Sequence, residues 1–330
     1  MIQGINPKVS IIILSYNQAR YIEDAINSAL DQTYENIEII VSDNGSTDST
    51  KKIIKKFTSN PKIIFLDYAE NQSISLRQNQ AAKTASGEFI SLLYADDYYL
   101  PLKIEHQVKI FSTLSDDWGV VHGPGRQLIE ETGDFKKLPA TKAHDLCLKK
   151  LFQDYSEGFI VPIAPLVRAK VYLEFPLYED IFSEGESLYW RIATRYKFFY
   201  SDLPLVVMRY HEKNMGKAIR KNMEMHLICL DRLIMSKEFP EDTFSAYQSY
   251  RSKIIFANVW HCLRTNFEIM WAKKLIVGSV VSYPKSALDF RYVVVILYIF
   301  MPKKLIFYIN KMINFMLKKK LFIPLKDYYH

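Results

Sequence analysis

Two carboxylates, Asp96 and Asp97, stand side by side in "FISLLYADDYYLP" (89–101), where an apolar run ends and a turn closed by Pro101 begins. Acids repel phosphates, so such a pair recruits a diphosphate only across a divalent cation: carboxylate oxygens hold Mg2+ or Mn2+, and the metal holds the phosphates. Two further polar segments, "SYNQ" (15–18) and "DNGSTD" (43–48), likewise follow apolar runs. None of these runs is followed by GxGxxG or GxxxxGK[ST], which excludes a dinucleotide or nucleoside triphosphate cradled on a glycine-rich turn. Asp43, Asn44, Ser46 and Asp48 also suit a turn and helix cap, and capping is the preferred reading for Asp48. Cys147, Cys229 and Cys262 lie far apart in no ligand spacing and read as core thiols, so neither zinc nor a disulfide framework is expected.

The elements that position these loops alternate. "VSIIIL" (9–14), "IEIIVS" (37–42), "KIIFLD" (62–67) and "EFISLL" (88–93) read as strands; "ARYIEDAINSAL" (19–30), "STKKIIKKF" (49–57) and "LRQNQAAKTA" (76–85) read as helices. Strands alternating with helices imply parallel βαβ units with right-handed crossovers, an α/β class. Ligands bind such sheets beyond the carboxyl ends of the strands, which places 15–18, 43–48 and 94–97 on one edge. The two acids therefore share a crevice with Asp43.

Charge is divided unevenly. Residues 1–212 carry 23 Lys+Arg against 28 Asp+Glu, a balance of −5, and residues 213–330 carry 20 against 8, a balance of +12. The basic excess is confined to the tail, and no nucleic-acid partner is expected. The tail's "YVVVILYIF" (292–300) is shorter than the ~20 residues that a spanning helix needs, and Pro302, Lys303 and Lys304 interrupt it. Beyond them Leu305, Ile309, Met312, Ile313 and Met316 recur at helical spacing, with Lys304, Lys311, Asn314 and Lys318 on another face. "WAKKLIVGSVV" (271–281) and "MLKKK" repeat the mixture. A basic amphipathic helix of this kind lies on an anionic membrane surface. Packing on the protein's own core or in a homodimer is the alternative. The opening residues carry no secretory signal, so a cytoplasmic location is expected, peripheral on the inner face of the membrane.

"VSIIILSYNQARYIEDAINSALDQTYENIEIIVSDNGSTDST" and "ASGEFISLLYADDYYLP" resemble the opening blocks of family 2 glycosyltransferases, inverting enzymes of the GT-A fold that use nucleotide-diphosphate sugars. The resemblance covers about residues 8–215. It implies a GT-A (Rossmann-like), mostly parallel sheet flanked by helices over 1–215, with a nucleotide-binding half near 8–101 and an acceptor half near 102–215. Residues 216–330 then form a helical, basic amphipathic extension. It further implies that Ser15, Tyr16, Asn17, Asp43, Asn44, Arg77 and Asp96 border the nucleotide, with Asp43 on the base or ribose. "YADD" stands where the family has its DxD metal motif. The first acid is here Tyr94, which leaves Asp96 and Asp97 to carry the metal and ribose contacts. Asn44 replaces a further aspartate found in many relatives.

Downstream, "FSEGESLYWRIA" (182–193) resembles the family's block with the catalytic acid, but Gly185 occupies the customary aspartate position. Glu186, one residue later, is the preferred base, with Glu184 and Asp180 as alternatives. "PLVVMRYHEKN" (204–214) resembles the end of the catalytic core, where His211 completes the metal shell or contacts the diphosphate. The expected activity is metal-dependent transfer of a sugar, from a UDP-sugar by preference, to a glycan or lipid-linked acceptor in bacterial polysaccharide, lipopolysaccharide or capsule synthesis. A soluble glycosyltransferase acting on protein or free sugar stays open. So does a non-catalytic scaffold that keeps the nucleotide fold, in view of Tyr94 and Gly185.

Overall fold

A computed structural model describes residues 6–138, 140–156, 158–211, 214, 219–265, 268–282 and 290–301, with single positions at 305, 308 and 311. The chain divides into two compact units: residues 1–214 with 228–240, and residues 215–227 with 241–330.

The first unit opens with β1 (Val9–Ser15), α1 (Ile22–Leu30), β2 (Ile37–Asp43), α2 (Thr50–Lys55), β3 (Ile63–Asp67), α3 (Ile74–Thr84) and β4 (Phe89–Tyr94). All seven residues of β1 and of β2 are buried, as expected of strands covered by helices on both faces. β1 pairs in parallel with β2 and β4, and β2 with β3, so Ser15, Asp43, Asp67 and Tyr94 end four strands on the same edge. The helices start later or earlier than their periodicity suggests, for local reasons. α1 begins at Ile22 because the Gln18 carbonyl first accepts the Tyr21 and Ile22 amides. α3 begins at Ile74 because the Ser73 hydroxyl caps the Leu76 amide at 3.1 Å.

β5 (Tyr98–Tyr99), α4 (Lys103–Phe111), β6 (Trp118–His122), β7 (Gly125–Ile129), β8 (Asp134–Leu138) and α5 (Leu148–Gln153) follow. Then come β9 (Leu166–Arg168), α6 (Ala169–Glu174), α7 (Ser187–Ile192), β10 (Lys197–Tyr200) and β11 (Val206–Tyr210). The main sheet has seven strands in the order β10-β6-β9-β4-β1-β2-β3, with β9 antiparallel to both neighbours. A second sheet, β5-β11-β7-β8, grows from the turn after β4. One row of it, Tyr99, Val206, Gly125 and Leu138, is buried against the core.

At the opposite end of the main sheet, Glu38 accepts hydrogen bonds from the Ser10 hydroxyl at 2.5 Å and from the Ser86 amide and hydroxyl at 2.6 and 2.8 Å. Lys8 lies 2.5 Å from its other oxygen. Against the cost of burial, these partners hold the Glu38 carboxyl down at about 2. The latch joins β1, β2 and the entrance to β4 far from the loops that bear the site.

The second unit is helical. α8 (Ile219–Ile234) contributes its first half to it, and α9 (Phe244–Thr265), α10 (Ile269–Ser282) and α11 (Phe290–Phe300) complete its described part. Tyr292 of α11 ties the bundle together, with its hydroxyl 3.0 Å from Ser252 Oγ and 2.9 Å from Ser279 Oγ. The outward stripe of α10 combines Met270, Val277 and Val281 with Lys274, and that of α11 exposes Val293, Ile296 and Leu297. Among the described residues no helix is long and apolar enough to cross a membrane. Leu305 and Lys311 are described as helical, whereas Ile309, Met312, Ile313, Met316 and Lys318 lie outside the described residues.

Candidate active site

The carboxyl edge of β1 and β2 carries two loops laced to each other. Asn17 adopts a left-handed conformation, φ 52°, which an asparagine tolerates. Its Oδ1 accepts the Thr47 amide at 2.8 Å, while its own amide donates to Ser46 Oγ at 2.8 Å. Asp43 is fully buried and accepts the Ser46 amide at 2.8 Å and the Ser46 hydroxyl at 2.5 Å. Burial raises its pKa, and the Ser46 bonds oppose that rise. The N-cap position of α2 is Ser49 rather than the expected Asp48, which, one residue before it, accepts the Thr50 amide at 2.9 Å in a local turn and the Ala19 amide at 3.2 Å.

Asn44 and Arg77 are joined rather than offered to solvent. Asn44 Oδ1 accepts Arg77 Nε and the Gln72 amide, both at 2.9 Å, and its Nδ2 donates to Asn71 and to the Gln72 carbonyl. Arg77 also donates to the Glu70 carbonyl at 2.7 Å and stacks on Tyr68 at 3.7 Å. Between them Gly45, at φ 77°, passes so close to the 70–71 backbone that a Cβ would come within 2.5 Å of Glu70. In this geometry Asn44 and Arg77 are engaged with each other and with the 70–72 backbone, while Tyr16 is 41% exposed. Ser15 is buried at the end of β1.

The acids of "YADD" diverge. Asp96 Oδ2 faces His211 Nε2 at 3.2 Å, just beyond β11. Asp97 turns inward, 2% exposed, and its Oδ1 accepts the Arg209 amide at 2.8 Å. Desolvation, and then the Asp96 charge, push the Asp97 carboxyl well above its ordinary range. Of the three expected ligands Asp96, Asp97 and His211, the structure brings Asp96 and His211 together, while Asp97 turns away from them. Among the described residues no three His, Cys, Asp or Glu side chains converge as a ligand cluster. Adjacent turn residues point apart, and the second acid is used to dock β11. Asp96 and His211 face each other as one carboxylate oxygen and one imidazole nitrogen, a donor set that would suit a divalent cation such as Mn2+.

Five residues around this pair, Arg209, Asp24, Tyr98, Tyr21 and Glu130, went unrecognised in the sequence as part of the site. Arg209 donates to the Asp96 carbonyl at 3.0 Å and to Asp24 Oδ2 at 2.6 Å. Its guanidinium lies 4.9 Å from the Tyr98 ring centre and 5.3 Å from that of Tyr21. Tyr21 stacks on His211 with centroids 5.0 Å apart, and its hydroxyl donates to Glu130 at 2.7 Å. A signal existed for Arg209: strand alternation puts it on the same side as His211, two residues later.

Of the three candidate bases, two are consumed. Glu184 accepts Arg191 at 2.8 and 3.0 Å and the Tyr178 amide at 2.8 Å. Asp180, 64% exposed, is paired with Arg232 at 2.8 Å. Glu186, at the entrance to α7, forms no hydrogen bond or ion pair through its carboxylate among the described residues. Desolvation alone pushes it up to about 8. One turn later the buried Tyr189 is raised by desolvation and by its neighbours Tyr172, Tyr94 and Tyr99, so α7 packs beside the strand end that bears "YADD". The amides of Ile74 and Glu184 anchor the preceding loop on α3, bonding to the Phe182 carbonyl at 2.8 Å and Ser75 Oγ at 3.2 Å.

Residues 10–159 match the family described as Glycosyl transferase family 2. That stretch belongs to this family. A relative from Rickettsia felis named as an uncharacterized glycosyltransferase is 33% identical over 227 residues, 66% of this chain and 36% of its own length. The chain thus spans only about a third of that relative. An Escherichia coli relative, UDP-Glc:alpha-D-GlcNAc-diphosphoundecaprenol beta-1,3-glucosyltransferase WfaP, is 41% identical over 105 residues, 32% of this chain and 41% of its own. Among solved structures, the mannosyltransferase PcManGT from Pyrobaculum calidifontis, in complex with GDP-Man and Mn2+, superimposes with a TM-score of 0.57 at 15% identity, over 96% of this chain and 87% of that one. The first unit is of the GT-A type, a mixed α/β sheet flanked by helices.

Proposed function

We propose that the chain is a metal-dependent, inverting glycosyltransferase that moves a sugar from a nucleotide-diphosphate donor to a glycan or lipid-linked acceptor in bacterial surface polysaccharide synthesis. The observation that carries this reading is the Asp96–His211 pair, 3.2 Å apart at the carboxyl edge of a family 2 fold. A UDP-sugar is favoured as donor, in keeping with the donor that WfaP's name gives. Tyr16 borders the base, and Asp43 and Asn17 fix the loops around it. Asp96 and His211 would hold a divalent cation, which would supply the positive charge that neutralises the diphosphate as it leaves. Glu186 removes the acceptor hydroxyl proton as that oxygen attacks the anomeric carbon, and the bond to the diphosphate breaks on the opposite face. The free carboxylate of Glu186 favours it over Glu184 and Asp180, whose charges are already paired.

The exposed apolar residues of α10 and α11, with Lys274 among them and in a region of net charge +12, support attachment to an anionic membrane surface at the cytoplasmic face. Hydrolysis of a panel of nucleotide sugars, with and without Mn2+, tests the enzymatic reading: metal-dependent release of one nucleotide is expected, and no release from any donor supports the scaffold.

A further inference from the structure

One face of the second sheet carries, on β7 and β8, exposed residues that the mechanism leaves unused. Side chains directly opposite one another in paired strands share a face, and alternate residues of a strand return to it. Tyr98, Val207, Arg126 and Lys137 therefore form one row across β5, β11, β7 and β8, and Arg209, Leu128 and Phe135 form the next. The reverse face carries the buried row of Tyr99, Val206, Gly125 and Leu138; on the first face Val207 and Arg209 of β11 are covered, while Arg126, Lys137 and Phe135 of β7 and β8 are exposed to solvent.

Arg126 and Lys137 are exposed, and among the described residues neither forms an ion pair. Phe135 is 55% exposed. It lies two strands from Arg209, which holds Asp96, and at a strand spacing of ~4.8 Å that is about 10 Å, within reach of a short glycan. We propose that this face binds the acceptor, and that the acceptor is a phosphate-bearing glycan: a sugar ring lies on Phe135, and its phosphate or diphosphate is held between Arg126 and Lys137. An aromatic plane offers an apolar surface to the C–H face of a sugar, and an unpaired Arg and Lys on neighbouring strands offer charge-assisted hydrogen bonds to phosphate oxygens. The assignment rests on the transferase reading above and names the substrate class for its second half.

The test uses the full chain with UDP and Mn2+ in excess, so that the donor's diphosphate position is filled. Titration compares octyl diphospho-N-acetylglucosamine with octyl N-acetylglucosaminide, which lacks phosphate. The intact chain is expected to bind the diphosphate probe more tightly by about ten-fold or more. Arg126→Ala with Lys137→Ala should abolish that preference, and Phe135→Ala should weaken both probes; thermal unfolding serves as the folding control. Equal binding of the two probes, or an undiminished preference in the double variant, overturns the assignment. So does a double variant that keeps the preference but no longer sediments with phosphatidylglycerol vesicles, since the face would then serve lipid headgroups. Donor hydrolysis by the intact chain is measured alongside: its absence fails the transferase reading, whereas hydrolysis with unselective probe binding fails the acceptor assignment alone.

Discussion

At the scale of single residues, the site depends on which charges are already satisfied. Glu184 and Glu186 are two positions apart, yet Arg191 and the Tyr178 amide neutralise the first, while the second is desolvated and unpaired. A base held near 8 is mostly protonated at neutral pH, so turnover should rise as pH increases toward 8 and level off above it. Glu186→Gln should lower turnover by ~10²–10⁴-fold and remove that rise, while nucleotide affinity persists. A pH–rate profile of both proteins checks this, and an unaltered profile in Glu186→Gln moves the base elsewhere. The divergent acids make a second claim. Asp96→Ala should remove the Mn2+ dependence of UDP affinity. Asp97→Asn should keep much of it, because an amide oxygen can still accept the Arg209 amide. Calorimetric titration with and without Mn2+ separates them, and equal loss in both would return Asp97 to the ligand set. The sequence makes the acids themselves legible, since a DD turn after an apolar strand has few uses on such an edge. Their opposite orientations are not legible, because they depend on where β11 arrives from over a hundred residues away.

At the scale of elements, the βαβ half is readable because parallel strands covered on both faces must be apolar throughout, and β1 and β2 are. The second sheet is hidden for the converse reason. β5 has two residues, and β8, "DFKKL", has four exposed positions of five, so neither carries a buried-strand signature. The latch at Glu38 makes a stability prediction. Its carboxyl is held at about 2 in the fold against about 4.5 free, so it contributes stability that is complete above 4.5 and lost as pH falls toward 2. The contribution is on the order of 3 kcal/mol. Glu38→Gln should therefore destabilise the protein at pH 7 and leave it close to the parent near pH 2. Denaturant unfolding at the two pH values decides, and an equal deficit at both would assign the loss to packing.

At the scale of the whole molecule, the chain joins a mildly acidic α/β region to a strongly basic helical one, and the sequence alone revealed that division of charge. Membrane attachment belongs to the second unit. Val277→Glu with Val281→Glu should reduce sedimentation with anionic vesicles even in high salt, because it removes apolar insertion. Lys318, Lys319 and Lys320, beyond the described residues, should together contribute roughly 3 kcal/mol of attraction at low salt, about 1 kcal/mol each. A chain that never sediments with anionic vesicles at low salt would instead point to a packing or dimer role.

The central claim, metal-dependent transfer with inversion, is most directly tested by proton NMR of the sugar released when water replaces the acceptor and an α-linked nucleotide sugar is the donor. The account predicts that the β-anomer appears first and only when Mn2+ or Mg2+ is present. Initial release of the α-anomer, or turnover indifferent to chelation of the metal, would contradict it.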